Sequence, residues 1–341
     1  EEAMKVASEA FASAATAILK AEGLKLVVTC HQTLGDLDEA VQAATSGKAD
    51  VAKLNDEVAT CEALDTLINA HLAKGDAEGA VAAATEATSS KGKVEACAQV
   101  LLSTALMAKS AESDVPADAK AAAKDAAAAA RKAASLYQLQ RMAKEQAGAL
   151  KAAAASLIQG AEFAEAATVA KELQELGKEE KAMGLEYVAQ ALLGSPAATT
   201  GGVEELMTSA KSALAIYEEL DNAEGKASTM QVVAKALVAT DGDLDEAYRT
   251  AKSSAAGYKA LNNTEQMCTS LLTAAKAAYK KGNFTSAFWD AKQVVSEGSG
   301  IVHEEAMVMV SQIMRHSEEV EKPLGVGGPV PVFSGDYVSY V

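Results

Sequence analysis

Two histidines, His31 and His71, come first among residues whose type and spacing could do chemistry. Brought together they would offer two imidazoles to a metal. A structural zinc site needs more ligands than that from nearby Cys or carboxylates, so polar-tipped packing residues are the expectation. His303-Glu304-Glu305-Ala306-Met307 opens like a zinc-protease helix but lacks the second His at its fifth position. Gly325-Val326-Gly327-Gly328-Pro329 has the glycines of a phosphate loop. It follows no strand and opens no helix, and Pro329 removes an amide that would bind phosphate. No Ser stands in a nucleophile elbow, and no Cys has a His at an informative distance. The acidic pairs Glu179-Glu180 and Glu318-Glu319 read as solvated helix faces. No catalytic, cofactor-binding or metal residue is assigned, and an enzyme is not expected.

The elements that would position any site are set by a repeat. Gly35-Asp36-Leu37-Asp38-Glu39-Ala40 recurs as Gly75-Asp76-Ala77-Glu78-Gly79-Ala80 and, more loosely, from Ala161, Gly201, Gly242 and Gly282. The interval from Gly35 to Gly75 is kept closely from Ala161 through Gly282, and the longer step from Gly75 to Ala161 is two periods. His31 and His71 are separated by the same interval and so share one place in the repeat. Gly takes the left-handed turn that ends one helix, and Asp or Asn caps the next. Apolar stretches such as Ser228–Thr240 and Met267–Lys281 precede the signature, and Leu244–Tyr258 and Phe284–Ser296 follow it. A second landmark, a large residue at a fixed distance upstream, falls at Phe11, Val51, Tyr137, Tyr217 and Tyr258. These residues should lie late in the second helix of each unit, packed on the next. The signature missing between Gly75 and Ala161 falls in an alanine-rich helix opened by Pro116. Gly194–Gly202 reads as a widened loop between helices rather than a domain boundary.

The period predicts stacked helical hairpins, each burying its apolar face on its neighbours in one continuous elongated body. Residues 1–300 form the repeats. Residues 301–322 form a capping amphipathic helix with Val302, Ala306, Met309, Val310 and Ile313 on one stripe. Residues 323–341, with three prolines and four glycines, form an extended tail without helix. Met307, Met309 and Met314 are core residues of the cap or an adaptable contact surface. Of the cysteines, Cys61 and Cys268 share the repeat position of Ala227. Free core thiols are expected for Cys30, Cys61, Cys97 and Cys268, with disulfides as the alternative. Asn262-Asn263-Thr264 and Asn283-Phe284-Thr285 are glycosylation sequons whose asparagines the turns already explain.

These residues resemble tetratricopeptide repeats in their long form. Gly282-Asn283-Phe284 looks like the mid-repeat turn, and Ala40, Ala80, Ala166, Ala247 and Ala287 look like the small residue of the second helix. Leu220-Asp221-Asn222-Ala223-Glu224-Gly225-Lys226-Ala227 is similar to the inter-repeat turn of rapsyn-like, LGN-type and kinesin-light-chain-like proteins. The resemblance covers residues 3–298 and implies an all-α, right-handed superhelix of about seven TPR-like hairpins. The first-helix Trp and Tyr positions of the pattern are mostly Ala, Leu or His here, and no peptide-clamping Lys/Arg/Asn set stands out.

A solenoid presents surface rather than a pocket, so its expected partners are proteins, as subunits of a larger complex. The net charge of −16 disfavours nucleic acid and anionic membranes, and weakly favours a basic partner. The chain has no uncharged apolar run long enough to span a bilayer, so membrane contact is expected only through a partner. Aromatics are only 4% of the chain, which makes their clusters candidate anchors. Phe288 and Trp289 form one, and Phe333, Tyr337 and Tyr340 of the tail form another, expected to dock on a second subunit or fold back in cis. A scaffold or structural subunit is the leading function, with a soluble adaptor for short peptides or an enzyme accessory subunit as alternatives. The alanine-rich composition is like that of proteins from GC-rich genomes, some algal, so an organellar or photosynthetic assembly is one option. The chain starts at Glu1 rather than Met, which leaves removal of a targeting peptide open.

Overall fold

A computed structural model describes residues 2–196 and 202–324, with side chains through Arg315. Among the described residues the chain is all α, with sixteen helices and no strand. Helix α1 (Glu2–Ser13) precedes seven hairpins. The first three are α2/α3 (Ala17–Leu34, Leu37–Ala52), α4/α5 (Glu57–Ala73, Ala77–Ala87) and α6/α7 (Lys93–Glu112, Pro116–Leu139). Next come α8/α9 (Ala143–Gln159, Phe163–Gln174) and α10/α11 (Lys178–Gly194, Val203–Glu219). The last two are α12/α13 (Ala223–Ala239, Leu244–Ala260) and α14/α15 (Thr264–Lys280, Phe284–Glu297), and α16 (Gly300–Leu324) comes after them. Within each of the two units described next, the expected architecture of stacked TPR-like hairpins is the observed one.

The chain divides into two compact units, Glu1–Asn222 with α1–α11 and Ala223–Val341 with α12–α16. In each unit a first helix packs on its own second helix, on the second helix before it and on the next first helix. Burial is thus completed only by neighbours, the logic of a repeat fold. Gly194 ends α10 and Val203 opens α11, both in the first unit; residues 197–201 of the expected loop lie outside the described residues.

The turns explain why the signature recurs. At Gly35, Gly75 and Gly282 the backbone is left-handed, with φ of 84°, 75° and 84°. The next amide then reaches back to a carbonyl of the last helical turn, as in Asn283 N–H to Ala278 at 2.9 Å. Asp56, Asp76, Asp243, Asn263 and Asn283 accept amide hydrogen bonds as N-caps of the helices they precede. The signature misplaces one turn: the left-handed residue is Asp241 (φ 49°), not Gly242, because a short Asp tolerates that region. In the weaker signature Ala161 takes the same conformation at φ 55°. Asn262 (φ 56°) does so in the first sequon, which accounts for its asparagine structurally.

The double step of the repeat proves to be two unequal periods. The N-caps of α5, α7 and α9 are Asp76, Val115 and Glu162, so the first interval is shorter than the second. The turn is Ser113–Val115 followed by Pro116 at the helix start, so no Gly-Asp marks it. The surplus sits in α7, which has 24 residues where α11 and α13 have 17.

The core is thin and alanine-rich. Ala40, Ala80, Ala166, Ala247 and Ala287 are all fully buried, and their size lets the paired helices close up. Val51, Tyr137, Tyr217 and Tyr258 are buried late in α3, α7, α11 and α13, and Phe11 is half-buried in α1. All five landmarks thus occupy equivalent places. On α16, Ala306, Met309 and Ile313 are buried and Val302 and Val310 pack beside them, the stripe expected of a cap. The helix runs through Leu324, so Pro323 and Leu324, expected in the tail, are helical. Helix ends shift by a residue or two according to how their last turn closes.

Candidate functional site

A trough of about 450 Å³ runs across consecutive first helices of the first unit. Helix α2 contributes Ala21, Glu22 and Lys25; α4 contributes Cys61, Glu62, Asp65 and Thr66; α6 contributes Cys97, Val100 and Leu101. Tyr137 of α7 closes the floor. The period places these side chains together. Glu22 and Glu62 are one period apart, as are Lys25 and Asp65, so each pair occupies one position of successive repeats. The floor is apolar and the rim carries three carboxylates against one ammonium. Among the described residues none of Glu22, Glu62 and Asp65 forms an ion pair, whereas acids elsewhere do, as Asp38 does with Lys74 at 2.6 Å. Burial pushes the Tyr137 hydroxyl well above its ordinary pKa, so it stays a neutral donor at the floor.

Cys61 and Cys97 lie at the centre of this trough, each half-buried. Both are the fifth residue of a first helix, as are Ala21, Ala147, Ala182, Ala227 and Cys268. The packing of α4 on α6 brings two copies of one repeat position together, and the two thiols are electrostatic neighbours. The Cys61 sulfur also sits 4.0 Å from the Lys93 carbonyl oxygen. The neighbouring Cys97 holds the Cys61 thiol below its usual pKa, and Cys61 together with burial pushes Cys97 up. All four cysteines are free, but only Cys268 has the full burial expected of a core thiol.

The two histidines have different surroundings. His71 Nδ1 lies 2.8 Å from Asp76 Oδ2, while the other Asp76 oxygen accepts the Gly79 amide at 2.8 Å. In the equivalent place His31 Nδ1 is buried without a hydrogen-bond partner, and the Asp36 side chain makes no cap. The difference lies three residues after the Asp. A Cβ on Gly79 would overlap both His71 Nδ1 and Asp76 Oδ2, and the first hairpin has Glu39 there. Among the described residues no group of three or more His, Cys, Asp or Glu is placed to hold a metal.

Phe288 is buried in the core against α16, which removes it from the expected contact surface. Trp289 beside it is 56% exposed, edge-on to Phe288 at 5.6 Å. Met309 is core, whereas Met307 and Met314 face outward. Phe333, Tyr337 and Tyr340 lie outside the described residues. The sequence reading missed Glu22, Lys25, Glu62 and Asp65, although their spacing by one period was a signal that could have found them.

No family model matches the chain, and no curated protein matches it. Among solved structures it is similar to a Rap protein crystallised in complex with competence and sporulation factor. That likeness has a TM-score of 0.53 at 13% identity and covers 89% of this chain and 90% of that one. It is also matched to yeast Tom70 at 12% identity over 94% of this chain and 85% of that one. The TM-score there is 0.27, and so loose a superposition supports no structural argument. The first likeness is one of fold alone. Among the described residues no helix is long and apolar enough to cross a membrane.

Proposed function

We propose that the chain is a non-enzymatic protein-interaction scaffold whose first unit holds an extended, basic segment of a partner protein in the trough across α2, α4 and α6. The observation that carries this reading is the unpaired acidic rim over an apolar floor. Carboxylates in excess over the single ammonium and without an ion pair favour a partner that brings cations, and they steer its approach. Three adjacent helices at about 8–10 Å spacing span about 20 Å, room for roughly six extended residues.

Fluorescence anisotropy with labelled peptides alternating Lys and Leu, against matched Glu/Leu peptides, tests the proposal. The basic peptides should bind, and added salt should weaken them. Glu62→Lys with Asp65→Lys should weaken them roughly tenfold or more. Glu204→Lys with Glu205→Lys, two exposed acids of α11, should leave binding nearly unchanged. Equal binding of acidic peptides, or equal loss in both double variants, would refute the trough as the site.

The other reading is a fixed structural subunit of a larger assembly, organellar or photosynthetic. It draws on Ile301 and Val308, which are 75% and 56% exposed on α16. Such a subunit would co-purify with its neighbours in fixed ratio from native extract, whatever charges line the trough.

A further inference from the structure

We infer that Cys61 and Cys97 form an oxidisable dithiol, a covalent modification site in the trough whose co-reactant is a low-molecular-weight disulfide. This inference is independent of what the trough binds.

The geometry supplies each requirement. The two thiols are neighbours in one cavity although they belong to different repeats, because α4 and α6 pack side by side with their fifth residues in register. Both thiols line an open cavity, so a small disulfide can reach them. Cys97 and the Lys93 backbone flank the Cys61 sulfur, which lies 4.0 Å from the Lys93 carbonyl oxygen. Cys61 is accordingly the thiol more easily ionised, with the Lys93 ammonium adding to the effect of Cys97, and thiolate is the attacking form. Cys97 is held protonated beside it, poised as the resolving thiol. The other units do not share the feature. Their first helices carry Ala at this position except α14, where Cys268 is buried against a neighbouring first helix that has Ala227.

The chemistry balances in two exchanges. The Cys61 thiolate attacks one sulfur of the small disulfide, forming a mixed disulfide and releasing the first small thiolate. Cys97 then gives up its proton, which that thiolate takes. Its sulfur attacks Cys61, forming the Cys61–Cys97 bond and expelling the second small thiolate, which is protonated by solvent. Two protein thiols are oxidised and one small disulfide is reduced to two thiols. The product ties α4 to α6 across the floor of the trough, where neither sulfur can then donate to an occupant.

Glutathione disulfide at graded ratios to glutathione, on the folded full chain, is the probe. Acid quenching, alkylation and non-reducing peptide mapping give the readout. The expected product is a chain two hydrogens lighter with a Cys61–Cys97 link. Cys97→Ser should instead accumulate glutathione on Cys61. Cys61→Ser should leave Cys97 reacting roughly tenfold more slowly than Cys61 does in the wild type. Circular dichroism confirms that each variant is folded. The inference is overturned if Cys61 and Cys97 stay reduced while Cys30 reacts, if the glutathione adduct on wild-type Cys61 persists unresolved, or if a link forms between other cysteines.

Discussion

The histidine pair shows how little separates a working contact from a vacant one. Each His stands five residues before an Asp in the same turn, yet only His71 meets its carboxylate. The deciding atom is the Cβ that Gly79 lacks and Glu39 has. Asp76 consequently caps α5 and accepts the Gly79 amide, which with the His71 ring holds its carboxyl below the ordinary range. A depressed carboxylate stabilises the fold above its unfolded pKa and stops doing so as pH falls through its folded one. Asp76→Ala should therefore cost about 1 kcal/mol near neutral pH, the usual worth of an N-cap. The deficit should shrink below about pH 4 in urea unfolding of the two proteins side by side. Gly79→Ala should break the His71–Asp76 contact without unfolding the hairpin, seen as a changed nitrogen NMR signature of the His71 ring. The sequence displayed both His–Asp spacings plainly. What it did not display was that the residue three after the Asp excludes or admits the ring, since that depends on where a Cβ falls in three dimensions.

At the scale of the element, turn chemistry was the most legible part of the chain. Gly before Asp or Asn has a local mechanism, and at Gly282-Asn283 both residues behave as that mechanism requires. Legibility failed where other residues stand in for Gly. Asp241 takes the left-handed turn one residue before the glycine that seemed to mark it, and Ala161 takes it with no local advantage. A left-handed L-residue costs about 1–2 kcal/mol, part of which a glycine returns as extra freedom in the unfolded chain. Ala161→Gly should thus raise stability by roughly 0.5–1 kcal/mol. Gly282→Ala should lower it by about 1 kcal/mol. Its added methyl would meet no atom within 4 Å, so conformation alone sets the cost. Thermal unfolding of both variants checks the opposite signs.

For the molecule as a whole, the regular period gave away the fold, because two landmarks share it, one marking the turns and the other the packed end of each second helix. Tyr217 is one of them, buried at 2% exposure with its hydroxyl donating to the buried carboxylate of Glu186 at 3.2 Å. Tyr217→Ala should cost roughly 3–5 kcal/mol in denaturant unfolding. Tyr217→Phe, which removes a donor from that carboxylate, should cost about 1–3 kcal/mol. The trough was less legible than the fold. Its rim is written as ordinary helix-surface acids, and only packing of consecutive first helices turns Glu22, Glu62 and Asp65 into one feature.

The long α7 carries a different lesson, about which lengths such a chain can absorb. Its surplus of seven residues over α11 and α13 is close to two full helical turns. An insertion of seven rotates the remainder of the helix by only about 20°, so Tyr137 still faces its neighbours as Tyr217 and Tyr258 face theirs. Helical repeats thus possess something like a reading frame, kept by sevens and broken by other numbers. Removing seven alanine-rich residues from α7 should leave a folded, cooperatively melting protein. Removing five would turn Tyr137 by about 140° out of its socket. Circular dichroism melts of the two deletions would distinguish an in-frame excision from a frameshift at the level of side-chain direction.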